Sequence, residues 1–120
     1  MMRILIADDN PQVRGAIRDL LSSGENWEIC GETWNGPETI KQARELRPDL
    51  VILDVHMPFP NGLETARLIR KEIPQVKILI ISQYDTVDLL PTALEAGADG
   101  CLDKAHLGSD LTLAVKNLQT

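Results

Sequence analysis

Two stretches of this chain, Leu50-Val51-Ile52-Leu53 and Ile78-Leu79-Ile80-Ile81, are apolar at every position. A strand with one wet face alternates apolar and polar residues, so a run without alternation needs cover on both faces. Both stretches are therefore expected inside a parallel sheet, as parts of predicted strands at residues 50–55 and 77–82. Three more short apolar runs, at residues 3–7, 27–33 and 100–103, complete a predicted set of five.

The segments between them carry apolar residues at helical spacing. The first places Val13, Ile17, Leu20 and Leu21 on one stripe, with Asp9 or Asn10 to cap it and Pro11 at the first helical position. The second, residues 37–46, turns Ile40, Ala43 and Leu46 inward and stops ahead of Pro48, because a residue before proline resists the helical region. The third uses Leu63, Ala66, Ile69 and Ile73 and ends before Pro74; the last uses Leu111, Ala114, Val115 and Leu118. The fourth contains Pro91, which lacks a backbone donor and crowds the preceding turn. A late start is expected there, with Pro91 at the first or second helical position, residues 84–90 in a loop and Gly97 at the C-terminal cap.

Five strands alternating with five helices predict a three-layer α/β fold: a doubly wound, five-stranded parallel sheet, (βα)5, in the flavodoxin-like order 2-1-3-4-5. At 120 residues and 43% hydrophobic content, residues 1–120 are read as a single domain. A formal charge of −6 opposes direct nucleic-acid binding. No run approaches the apolar length of a membrane span and no signal-peptide pattern opens the chain, so a cytoplasmic location away from membranes is expected. Cys30 and Cys101 fall on opposite sheet edges, roughly 19 Å apart at about 4.8 Å per strand, and are read as buried free thiols. Trp27 and Trp34 are read as core or edge packing, since no basic residues cluster around them.

The polar residues that end the apolar runs carry the functional signal. They are Asp8-Asp9, Asp54, Ser82 and Asp103-Lys104. Ligands of open α/β sheets bind outside the carboxyl ends of the strands, so these groups are expected to converge. Asp8, Asp9 and Asp54 against Lys104 leave a net charge of −2 in a confined place. Carboxylate oxygens with room for water suit Mg²⁺, which readily shares its shell with a phosphoryl group. A carboxylate is also a nucleophile toward phosphorus, forming an aspartyl phosphate. Asp54, on the central strand, is the expected nucleophile, the Asp8-Asp9 pair the metal holder, and Ser82 and Lys104 the groups that position and neutralise the phosphoryl oxygens.

These residues also carry a resemblance. Ile6-Ala7-Asp8-Asp9-Asn10, Leu53-Asp54-Val55-His56-Met57-Pro58, Asn61-Gly62, Ile81-Ser82 and Asp103-Lys104, in this order at successive strand ends, resemble the receiver domains of bacterial response regulators. Residues 57–65 are most similar to receivers that precede LuxR-type DNA-binding domains. The resemblance implies that Asp54 accepts a phosphoryl group from a sensor histidine kinase and that Asp9 binds Mg²⁺ directly. It further implies that Asp8 acts mainly through water and that the backbone carbonyl of His56 is an additional ligand. Ser82 and Lys104 would contact the phosphoryl group, and a shift of Ser82 would report it to the face made by the fourth helix, fifth strand and fifth helix. The implied partners are the kinase, a C-terminal DNA-binding domain outside this chain and a second copy on phosphorylation. Gly62 would supply a turn conformation that a side chain resists.

The sequence departs from that family's pattern in places. Cys101 stands where an aromatic switch residue is usual, Gln83 where a small residue is usual, and Ala105 where a proline is frequent. His56 and Tyr84 are expected to overlook the site and to govern how water reaches the aspartyl phosphate. The chain is read as a switch and not a turnover enzyme. A phosphatase of the haloacid-dehalogenase type would carry a carboxylate two residues after the nucleophile, where this chain has His56. A flavodoxin-like carrier would need a phosphate loop where this chain has two carboxylates. The alternative left open is a receiver-fold interaction module that no longer depends on phosphorylation.

Overall fold

The computed structural model describes every residue except Ser23, Glu25, Phe59, Tyr84, Asp85 and Thr120. Strands β1 (Met2–Ala7), β2 (Trp27–Thr33), β3 (Leu50–Asp54), β4 (Lys77–Ser82) and β5 (Gly100–Asp103) alternate with helices α1 (Pro11–Leu21), α2 (Gly36–Leu46), α3 (Gly62–Glu72), α4 (Thr86–Glu95) and α5 (Leu107–Leu118). A 3-10 turn over Lys104–His106 joins β5 to α5. All the strand pairs are parallel and the order is β2-β1-β3-β4-β5, as the alternation requires.

The uninterrupted apolar runs divide by parity between two cores. Leu5, Ala7, Val51, Leu53, Ile78 and Ile80 face Ala43, Ala66, Ile69 and Ala93 of α2, α3 and α4. Ile4, Ile6, Leu50, Ile52, Leu79 and Ile81 face Ile17, Leu21, Leu111 and Val115 of α1 and α5. Every residue of β3 is buried, as a strand covered on both sides must be.

Local signals in the chain set the helix ends. Asn10 caps α1, accepting a hydrogen bond from the Gln12 N–H, with Pro11 at the first position. Asn35 and Asn61 cap α2 and α3, accepting from the N–H groups of Glu38 and Glu64. After α4, Gly97 lies at φ +99, its N–H donating to Leu94 O while Ala98 N–H donates to Ala93 O, which closes the helix in a Schellman arrangement.

Three expectations are corrected. Helix α4 starts at Thr86, and Pro91 lies inside it. Leu89, Ala93 and Ala96 follow one another at helical spacing, and seating Leu89 on the core beside Ala93 draws the earlier turn into the helix. The ring of Pro91 removes the N–H that would have met the Val87 carbonyl one turn back, and the helix continues through it. The expected loop at residues 84–90 is therefore helical from Thr86 onward, and its Tyr84 and Asp85 lie outside the described residues. Trp34 is exposed and packs into no core, whereas Trp27 rests on the α1/α5 side and donates to Gln119 Oε1 at 3.1 Å. Cys30 and Cys101 are free and on opposite edge strands but only half-buried. Cys30 is the extra residue of a bulge between β1 and β2, its thiol 3.5 Å from Ile4 O.

Candidate functional site

The end of β1 and the start of α1 build an acidic corner. Asp8 N–H extends the ladder by donating to Thr33 O at 3.0 Å. Its carboxylate Oδ1 accepts from Asn10 N–H at 2.8 Å, and Asn10 Oδ1 accepts in turn from Gln12 N–H at 2.9 Å. These successive side-chain turns reverse the chain into α1, with Asp8 wholly buried and Asp9 exposed.

Asp54 closes β3 and is buried, its Oδ1 accepting from His56 N–H at 3.0 Å. The loop beyond it folds back on the strand: Gly62 N–H donates to Val55 O, and a Cβ at Gly62 would lie 2.2 Å from Asp54 O. Gly62 is thus required by close approach and not by a left-handed turn. Among the described glycines only Gly97 has positive φ.

Lys104 enters from β5 and joins the two buried carboxylates. Its Nζ stands 2.8 Å from Asp8 Oδ2 and 3.3 Å from Asp54 Oδ2. Burial pushes the Asp54 carboxyl above its usual range; the His56 N–H opposes this, the Asp8 charge adds to it, and Lys104 offsets it in part. Burial disfavours the Lys104 ammonium, but the two carboxylates together outweigh it and hold the proton on.

One cation for three carboxylates leaves the corner short of positive charge. Oxygens of Asp8, Asp9 and Asp54 lie within 4.8 Å of one another, a spacing that a single metal ion can span. Asp8 Oδ2, buried and facing Lys104, accepts no well-aligned hydrogen bond. An under-satisfied buried carboxylate oxygen in an all-oxygen set fits a hard divalent cation such as Mg²⁺.

The structure therefore brings together Asp8, Asp9, Asp54 and Lys104. Ser82, fully buried at the end of β4, lies one residue beyond Ile81, the register partner of Asp54. His56 and Gln83 are exposed at the same end of the sheet. Tyr84, the other expected gate for water, lies outside the described residues. Asp103 does not join the cluster. Its Oδ1 accepts from Ala105 N–H at 2.8 Å to cap the 3-10 turn, and Oδ2 lies 3.5 Å from the exposed His106.

The sequence reading missed Arg14. Its Nη1 donates to the Asp8 carbonyl at 2.6 Å and its Nε to Glu32 at 3.2 Å. A basic residue in the first turns of a helix that begins at an acidic pair is a signal, because helix N-termini ordinarily favour anions.

The family profile described as the response regulator receiver domain matches residues 4–116. Over 120 residues the chain is 35% identical to the transcriptional regulatory protein LnrK of Bacillus subtilis, covering all of this chain and 54% of that protein. Over 117 residues it is 37% identical to the transcriptional activator protein ExaE of Pseudomonas putida, covering 98% of this chain and 55% of the relative. The chain thus spans about half the length of these curated relatives. Among solved structures, it is similar to a two-component response regulator of the LuxR family from Aurantimonas sp. SI85-9A1. The TM-score is 0.93 at 30% identity, over 98% of this chain and 84% of the other. No helix of the described residues is long and apolar enough to cross a membrane.

Proposed function

The chain belongs to the response regulator receiver domain family, and from that premise we propose that it is a phosphorylation switch with Asp54 as phosphoacceptor. The observation that carries the proposal is the buried Lys104 ammonium shared between Asp8 and Asp54, with a third carboxylate, Asp9, within reach of the same point. Asp54 is held by one oxygen on the His56 N–H, and its other oxygen faces Lys104. In the transfer an Asp54 oxygen bonds to phosphorus as the N–P bond of a kinase phosphohistidine breaks. The departing imidazole takes its proton from solvent.

Asp9, Asp8 and the His56 carbonyl are the groups we assign to Mg²⁺, together with Asp54. Bound there, Mg²⁺ supplies the positive charge that this corner lacks and that phosphoryl transfer needs. Lys104 and the Ser82 hydroxyl are assigned to the phosphoryl oxygens. No carboxylate stands two residues after Asp54, where a phosphatase would use one to activate water. The phosphoryl group is thus retained as a signal, and the chain is a switch rather than a turnover enzyme.

Ser82 and Lys104 lie at the ends of β4 and β5, so a group bound between them acts first on the flank formed by α4, β5 and α5. The partners that follow from this reading are a sensor histidine kinase and a second copy on phosphorylation. A transcriptional output domain outside this chain, in the cytoplasm, completes it. The span of about half of each curated relative supports the separate output domain.

The test is intact-mass spectrometry after incubation with acetyl phosphate, with and without Mg²⁺, on the wild type and on Asp54→Asn. One phosphoryl group should be gained with Mg²⁺ by the wild type only. No gain under any condition would leave an interaction module independent of phosphorylation.

A further inference from the structure

The Arg14 side chain is only 17% exposed and spans two elements. From the second turn of α1 its Nη1 reaches back to the carbonyl of Asp8, and its Nε meets Glu32 Oε1 on β2. The other Glu32 oxygen is held by Arg18 Nη1 at 2.6 Å. Glu32 is fixed in the sheet by its register with Ile6, so the fork of Arg14 is aimed from a rigid point. The carbonyl it grasps belongs to the peptide joining Asp8 to Asp9, the two residues whose carboxylates form the acidic corner with Asp54.

We propose that Arg14 is a positioning residue for the divalent-cation site, orienting the Asp8-Asp9 peptide so that both carboxylates converge with Asp54. The inference rests on the reading of that corner as a cation site. Asp9 has the greater need of such a brace. It is exposed and follows the end of β1, whereas Asp8 is already fixed by Asn10, Thr33 and Lys104.

Geometry and charge predict opposite signs for the loss of Arg14. Removing a positive charge beside a cation site strengthens cation binding through electrostatics alone. Removing the brace weakens it, and groups that orient metal ligands ordinarily account for about 10- to 100-fold in affinity. Arg14→Lys separates the two further, since it keeps the charge and gives up the planar fork that serves the carbonyl and Glu32 together.

The experiment is titration of the full chain with Mn²⁺ alone, followed by the loss of the free-ion electron paramagnetic resonance signal, with thermal melts of each variant alongside. Arg14→Met should bind Mn²⁺ about tenfold more weakly. Arg14→Lys, the variant least able to disturb folding, should also bind more weakly. Arg18→Met, which touches Glu32 but not Asp8, should stay within about twofold of the wild type. Unchanged or tighter binding in the folded Arg14→Lys variant overturns the proposal, as does an equal loss in Arg18→Met. A wild type that takes up no Mn²⁺ would instead refute the cation-site reading itself, an outcome distinct from failure of the brace.

Discussion

Helices α3 and α4 pack on the same side of the sheet and have nearly the same length, yet they are anchored in different ways. Helix α3 buries Gly62, Thr65, Ala66 and Ile69 and takes its cap from Asn61. At its far end Arg70 donates to the carbonyls of Pro74, Val76 and Gly97 and to Asp99 Oδ2. Helix α4 buries Ala93 alone, lacks an internal donor at Pro91, and leaves Val87, Leu90 and Leu94 exposed. The strands beneath repeat the contrast: β3 is buried throughout, while every residue of β5 is only partly buried. Asp8 and Asp54 stand at the ends of the buried central strands, whereas Lys104 follows β5 on the less buried flank. On the proposed reading, a phosphoryl group held between Asp54 and Lys104 would bridge the two and deliver its binding energy where fewer buried contacts resist displacement.

The comparison breaks most visibly in stability. Leu53→Ala, in a fully buried strand, is expected to cost about 2–5 kcal/mol, the transfer term plus the cavity left in a centre that cannot collapse. Leu102→Ala, at a half-buried position of β5, should cost about 1 kcal/mol. Urea unfolding of both measures the difference. Equal losses would mean that the flank is as firmly held as the centre.

Much of the centre was legible in the chain because one pressure dominates there. Burial on both faces admits almost only apolar residues in β3 and β4, so the uninterrupted runs mark these strands, and the alternation of strand and helix brings the strand ends, with Asp8, Asp54 and Lys104, to one edge of the sheet. The misplaced features sit where two forces compete. At α4 the local cost of Pro91 argued for a late start, but burial of Leu89 and Ala93 on the core prevailed. Trp34 offered apolar area that, just beyond edge strand β2 and next to the Asn35 cap, is left about half exposed. Asp103 was expected at the acidic corner but caps the 3-10 turn instead, and Gly62 was expected there for a turn conformation but yields space to the Asp54 carbonyl. Arg14 escaped notice because one partner is a backbone carbonyl and the other, Glu32, is brought to it only when β2 pairs with β1.

Restoring the missing donor sharpens the comparison from the other direction. Pro91→Ala supplies the N–H that α4 lacks and relieves crowding of the preceding turn. Part of the gain is offset by the greater freedom of the unfolded chain. A net stabilisation of about 1–2 kcal/mol is therefore expected, below the full interior proline penalty of about 3 kcal/mol. Amide exchange within residues 86–90 should slow more than exchange in α3. If α4 is the part that yields on phosphorylation, the same variant should also show a smaller phosphorylation-induced change in exchange across that helix. An unchanged response would place the movement elsewhere on the flank.

The smallest effect concerns Cys101, whose half-buried thiol is pushed up to about 11 by burial and then by the nearby Asp103 charge. Against an ordinary 9.0 this leaves much less thiolate at neutral pH, so alkylation by iodoacetamide should be slower than for a free thiol. The folded state holds this proton more tightly than the unfolded chain. Its contribution to stability is therefore intact below pH 9 and declines as the pH rises from there toward 11. Cys101 is also a local probe of the flank. If a phosphoryl group on Asp54 pulls Ser82 and Lys104 inward, as proposed, the strand ends beside Cys101 should rearrange, and alkylation should quicken if β5 opens. An aromatic ring at this position would report by swinging; the thiol can report only by changing how well it is covered. A rate that stays the same with and without the aspartyl phosphate would show that β5 keeps its packing, leaving α4 alone to carry the signal.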